Sequence, residues 1–132
     1  MIEDLNKFEE YLQNVSIFKT IFICSVEKQD EIYEYLMKSD YTVVSIKDEL
    51  NDINHIMDFE NSNYRIILFN ILYWDLNKST IQKYILPYQN LLVLLDISEF
   101  QNNLIKSWIS LSNKNGFINS SLNPAILDLD DN

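Results

Sequence analysis

A chain of 132 residues with 20 acidic and 10 basic side chains, net charge −10, is long enough for one domain with its own core and too acidic to favour a phosphate backbone. Hydrophobic residues make up 47% and aromatics 13%, which excludes disorder as the state of the whole chain. One Gly, one Cys and one His exclude a glycine-rich phosphate loop, an internal disulfide and a zinc site of several Cys and His ligands.

The first residues, Met1 to Leu5, are acidic and lack the basic-then-apolar form of a secretion signal. Leu5, Phe8, Leu12 and Val15 then recur at spacings of three and four, predicting an amphipathic helix over residues 3–14. Thr20 to Ser25 is a β-branched, apolar run and reads as a buried strand. Ile32, Tyr35 and Leu36 mark a second helix ending near Ser39, and Tyr41 to Ile46 a second strand. Leu50, Ile53, Ile56, Met57 and Phe59 outline a third helix, followed by a strand from Arg65 to Ile71. Residues 74–89 read as a short helix or irregular crossover stopped by Pro87, and Leu91 to Asp96 as a fourth strand. Phe100, Leu104, Ile105, Trp108 and Leu111 predict a last helix, with Gly116 to Asn119 as a fifth strand. Continuous apolar strands alternating with helices are the pattern of a parallel sheet covered on both faces. The expectation is a single three-layer α/β domain over residues 1–119, with a mostly parallel sheet of about five strands flanked by helices. Residues 120–132 form an acidic, flexible tail. No apolar run approaches the roughly 18 residues of a membrane span. Cys24, unpaired in an apolar run, suits a reducing compartment, so the chain is expected to be intracellular and cytoplasmic.

Taken in order, these segments resemble a known family. Lys19-Thr20-Ile21-Phe22-Ile23-Cys24-Ser25 is similar to the motif-IV strand that opens the C-terminal RecA-like domain of DEAD-box RNA helicases, in their translation-initiation and mRNP branch. Tyr41 to Ile46 resembles the family's next strand, and Asp48-Glu49-Leu50 stands near its His-Gly-Asp-Met turn. The segment from Phe59 through Asn63-Tyr64-Arg65-Ile66-Ile67-Leu68 resembles the approach to motif V. Leu91 to Asp96 falls where the family has its Val-Ile-Asn-Tyr-Asp strand, and Gly116-Phe117-Ile118 where it has a closing strand. The likeness spans residues 3–120 and implies a RecA-like domain.

The same register removes the family's chemistry. Motif V carries Ala-Arg-Gly-x-Asp; here Asp75 stands at the Arg, Leu76 at the Gly and Lys78 at the final Asp. Motif VI needs His-Arg-x-Gly-Arg, whereas Lys106-Ser107-Trp108-Ile109-Ser110-Leu111-Ser112 has no Arg. Arginine fingers contribute about 10³–10⁵ in rate to phosphoryl transfer. The resemblance therefore implies a stand-alone, degenerate counterpart of one helicase half, not an enzyme. Active helicases of this kind are clamped by helical-repeat proteins, so a protein partner of that class, in mRNA metabolism or translation, is implied with it.

Residue by residue, structural readings prevail over catalytic ones. His55 reads as a surface or helix-packing residue and Cys24 as a small buried apolar group. The acidic pairs Glu9–Glu10, Asp48–Glu49 and Asp130–Asp131 read as solvated faces in so acidic a chain. Asp96, ending a parallel strand on the side where α/β ligands bind, is the candidate phosphoacceptor of an alternative, flavodoxin- or receiver-like reading. Tyr73, Trp74, Tyr84 and Tyr88 crowd one crossover and are candidates for a protein-contact surface, since aromatics supply large area with few rotors, with partial burial in the core as the alternative for at least two of them. Ile126, Leu127 and Leu129 alternate with acids in the tail and are candidates for docking into a partner groove. A third reading, an accessory subunit with weak RNA contact, requires Lys19, Lys78, Lys83, Lys106 and Lys114 to converge. RNA binding and membrane association are disfavoured, and no catalytic, cofactor-binding or metal-binding residue is assigned.

Overall fold

The computed structural model describes residues 19–47, 53–85, 90–114 and 125–128. The expected helix over residues 3–14, the expected strand over residues 116–119, Tyr88 and Leu129 lie outside the described residues. In chain order the elements are β1 (Lys19–Cys24), α1 (Gln29–Lys38), β2 (Val43–Ile46), α2 (Ile53–Asp58), β3 (Ile66–Asn70), α3 (Ile71–Leu76), α4 (Lys78–Tyr84), β4 (Asn90–Leu95), α5 (Glu99–Lys114) and β5 (Ala125–Asp128).

All strand pairs are parallel, in the spatial order β2-β3-β1-β4-β5. Four of these strands make the helix-covered sheet. The short β5, drawn from the tail expected to be flexible, adds to the edge with Leu92 opposite Ile126 and Val93 opposite Leu127. Every residue of β3 is buried, and so is every residue of β1 after Lys19, as the unbroken apolar runs require. Alternation sorts the side chains into two cores. Phe22, Cys24, Ile66, Leu68 and Val93 pack with Ile32 and Leu36 of α1 on one face. Ile21, Ile23, Ile67, Phe69 and Leu94 pack on the other with α2, α3, α4 and α5. The α/β class read from the sequence, a parallel sheet between helices, is the observed one. No described helix is long and apolar enough to cross a membrane.

The flavodoxin-like alternative fails on strand order. Flavodoxin-like sheets run 2-1-3-4-5, whereas here β1 lies between β3 and β4.

Local signals explain where the elements begin. The crossover after β3 is regular: Asn70 caps α3 by accepting a hydrogen bond from Tyr73 N at 2.8 Å, so the helix starts at residue 71, directly off the strand. Ser98 and Gln101 close a reciprocal capping box at the start of α5, each backbone N–H donating to the other's side-chain oxygen at 3.0 and 3.1 Å. After α1, Asp40 takes the left-handed conformation (φ 64°) that Gly usually fills beyond a helix end.

Candidate functional site

The carboxyl ends of the strands hold two of the four polar side chains buried among the described residues, Gln29 and Asn70. From β1 the chain turns to α1 on one face; from β4, its neighbour, it turns to α5 on the opposite face. Adjacent strands whose chains leave to opposite faces define the crevice where open α/β sheets bind ligands. Here that crevice is bridged. Ser25, the residue after β1, donates its hydroxyl to Asp96 Oδ2 at 2.7 Å, and Asp96, the residue after β4, sits at φ 55°. A non-Gly residue held in this conformation marks a backbone constrained by its surroundings.

A second tie runs along the same edge. Asn70 Nδ2 donates to Gln29 Oε1 at 2.8 Å, and Gln29 Nε2 donates to Ile46 O at 2.6 Å and to Ser45 Oγ at 3.2 Å. Gln29 and Asn70 are both buried, so the ends of β2 and β3 and the first turns of α1 and α3 are locked through two amides. Cys24 lies beneath this edge, fully buried. Burial pushes its thiol up to about 12, with the charge of Asp96 adding to the effect, so it carries no thiolate at neutral pH. His55 is exposed on α2 and packs edge-on against Tyr64, with ring centroids 6.1 Å apart. No group of three or more His, Cys, Asp or Glu side chains suited to a metal ion occurs among the described residues.

The aromatic contact surface expected from the sequence requires correction. Tyr73 and Trp74 are each only 3% exposed and belong to the core beneath α3. Trp74 packs perpendicular to Trp108 at 5.6 Å between ring centroids, and Tyr73 lies against Phe69 at 5.8 Å. The reason is the helical register: Tyr73 and Trp74 follow the cap Asn70 by three and four positions and therefore point inward with it. Tyr84 is half-buried against the same core, and Lys83 Nζ lies 5.2 Å from its ring. Ile126 and Leu127 are placed in β5.

What α3 turns outward is aliphatic. Leu72 and Leu76 are 50% and 68% exposed; beside them Phe100 and Leu104 of α5 are 72% and 44% exposed. Leu72, Trp74 and Asp75 on α3 and Phe100, Gln101 and Leu104 on α5 line a groove of about 310 Å³. Of the residues that predict the last helix, Phe100 and Leu104 stand outward, while Asn102, Ile105 and Ile109 face in. Had Ser98 and Gln101 been read as a helix start, the outward position of Phe100 would have been visible in the sequence.

The basic stripe required for RNA contact does not include Lys19. Its ammonium is bound by backbone carbonyls, donating to Phe59 O, to Ser62 O at 2.9 Å and to Tyr64 O at 2.8 Å, and it lies 4.5 Å from the Phe59 ring. Desolvation lowers its pKa, the nearby Glu60 opposing that shift. Lys78 pairs with Asp75 at 3.1 Å and lies 5.2 Å from the Trp74 ring.

Comparison with known proteins yields no match: no family model, no curated protein and no solved structure corresponds to this chain.

Proposed function

We propose that this chain is a non-catalytic protein-interaction module, derived from a helicase C-terminal domain and acting as a subunit or adaptor of a cytoplasmic assembly in mRNA metabolism or translation. The observation that carries the reading is a set of exposed apolar side chains, Leu72 and Leu76 on α3 and Phe100 and Leu104 on α5, of which Leu72, Phe100 and Leu104 line an apolar groove. Single exposed apolar residues are ordinary, but four gathered on two neighbouring helices are the usual mark of a protein contact. The polar edge of the sheet supports the same reading, because Ser25, Asp96, Gln29 and Asn70 bond to one another. In the helicase register, Asp75 and Lys78 stand at motif-V positions, and here they form an ion pair with each other. Helicase descent rests on the order of the segments, and with it the expected helical-repeat partner.

The test begins with purified chain assayed for ATP hydrolysis and RNA binding, both expected to be absent. Micromolar RNA affinity at physiological salt would overturn the loss of the RNA face. Tagged wild-type chain and its Phe100→Asp variant are then expressed in the native cells. Stoichiometric partners are expected on the wild type and lost from the variant; partners retained equally by both would remove this face from the interaction.

A further inference from the structure

The outward faces of α3 and α5 specify the kind of partner. Leu72 and Leu76 stand four positions apart on α3, and Phe100 and Leu104 stand four apart on α5. Residues at that spacing share one face of a helix, about 6 Å apart along its axis. Each helix thus presents a short apolar ridge, and Leu72 of α3 with Phe100 and Leu104 of α5 line the groove. A third helix packs into such a surface by laying its own i, i+4 ridge between the two. An extended strand finds no backbone to pair with here, because both walls are helices whose main-chain groups bond internally.

Charge narrows the choice further. Asp75 stands on the groove wall, and Glu99 is exposed in the first turn of α5. The chain as a whole carries a net charge of −10, so a second copy would bring the same acids and the same repulsion. An anionic lipid surface is disfavoured on the same ground. Lys78 neutralises Asp75 in the free chain; it does not offset Glu99 or the overall field. A partner whose apolar stripe is flanked by Lys and Arg meets both the groove and its rim.

Resting on the interaction-module reading above, we propose that the α3–α5 groove receives a basic amphipathic helix of a partner protein. Its apolar i, i+3, i+4, i+7 stripe seats between Leu72 on one side and Phe100 and Leu104 on the other. Its basic flanks face Asp75 and Glu99.

The probe is a fluorescein-labelled Leu/Lys amphipathic peptide of about 18 residues, five helical turns, titrated with the intact chain and followed by anisotropy. Two controls accompany it: a scrambled peptide of the same composition, and a peptide of the same pattern with Glu for Lys. The Leu/Lys helix is expected to bind and both controls to bind at least about tenfold more weakly. Phe100→Asp is the deciding variant, because it adds a negative charge while removing an apolar anchor. A purely electrostatic attraction would strengthen; docking in the groove weakens at least about tenfold. Tyr33→Ser, on the opposite face of the sheet, is expected to leave the affinity unchanged. Phe100 is exposed, so its variant should fold, and a urea melt checks that it does.

Affinity unchanged or raised in Phe100→Asp overturns the proposal, as does equal binding of the scrambled peptide. A wild-type dimer by sedimentation that Phe100→Asp dissolves also overturns it, in favour of a second copy. Should the peptide fail to bind while native partners still depend on Phe100, the helix inference falls and the interaction module stands. Should native partners be indifferent to Phe100 as well, both readings fall.

Discussion

Asn70 is where fold and candidate interface meet, and replacing it with Ala should be among the costliest polar substitutions in the domain. Two bonds are lost: Asn70 Oδ1 no longer accepts from Tyr73 N, and Asn70 Nδ2 no longer donates to Gln29 Oε1, both at 2.8 Å. The cap is worth about 1 kcal/mol. Leaving Gln29 Oε1 buried without its donor costs about 1–3 kcal/mol more. A six-residue helix such as α3 has no stability of its own to absorb the loss. The expected total, about 2–4 kcal/mol, is a large share of the roughly 5–15 kcal/mol by which a domain is stable. Urea denaturation followed by far-UV circular dichroism reads it directly. With m near 2 kcal/mol per molar, the midpoint should fall by about 1–2 M. Asn70→Asp keeps an acceptor for Tyr73 N but sets a buried carboxylate against Gln29 Oε1, so it should not restore the stability lost in Asn70→Ala. Gln29→Ala combined with Asn70→Ala should cost less than the sum of the two single changes, by about 1 kcal/mol or more. Strict additivity, or a loss below about 0.5 kcal/mol for Asn70→Ala, would refute the claim that these amides tie the edge together.

Cys24 sets an alkaline limit: the folded thiol keeps its proton to about 12 while an unfolded one loses it near 8.5, so its contribution is complete below that lower value and is lost as pH rises towards the higher. The stability gap between wild type and Cys24→Ala should therefore narrow by about 2 kcal/mol from pH 9 to about 10.5, and a constant gap would contradict the burial assigned to the thiol. Lys19→Met removes the donor to the carbonyls of Ser62 and Tyr64 (Phe59 O keeps its bonds from Ser62) and should cost about 1–3 kcal/mol, with faster amide exchange confined to residues 59–64. Thr20 buries its hydroxyl without a hydrogen-bond partner, so Thr20→Val should raise the urea midpoint, by an amount equivalent to about 1 kcal/mol. Ser25→Ala should destabilise by about 1–3 kcal/mol, and adding Asp96→Gly should restore part of that by relieving the left-handed backbone; a further loss in the double variant would show that the Asp96 conformation carries no strain.

The sheet was legible in the sequence because strands buried on both faces leave runs such as Ile66-Ile67-Leu68-Phe69 and Leu91-Leu92-Val93-Leu94-Leu95 that fit little else. Strand order was not legible. Apolar runs carry no label for their neighbours, and β1 lies between β3 and β4 only because the chain crosses it after β3. The segment from Ile71 to Tyr84 misled for a different reason. Aromatic residues in a short stretch suggest a surface when its period is unknown, yet a start at Asn70 sends Tyr73 and Trp74 inward and leaves Leu72 and Leu76 outside. One residue of helical phase separates the two outcomes, and the cap that sets it is a single side chain. The Ser25–Asp96 bridge is half visible in the sequence: Asp96 stands at the end of an apolar run, but its partner lies 71 residues away, a pairing that only the β1–β4 register creates.

That bridge bears on why the proposed interaction is placed on the exposed helices and not on the sheet edge. At a topological switch point recognition normally draws on polar groups left free to meet a ligand. Here Ser25 and Asp96 satisfy each other, Asn70 and Gln29 satisfy each other and the main chain, and Cys24 below them is held neutral. A ligand entering that edge would first have to break charge-assisted or buried bonds, each costing about as much as it could return. Leu72, Leu76, Phe100 and Leu104 stand under no such constraint: each gains from losing contact with water, at about 25 cal/mol for every Å² covered. Binding free energy is therefore cheapest to obtain one layer away from the strand ends, on helices whose positions the tied edge makes rigid. The two features work together, since a groove held by Asn70 and the Ser98–Gln101 box needs little ordering when a partner arrives.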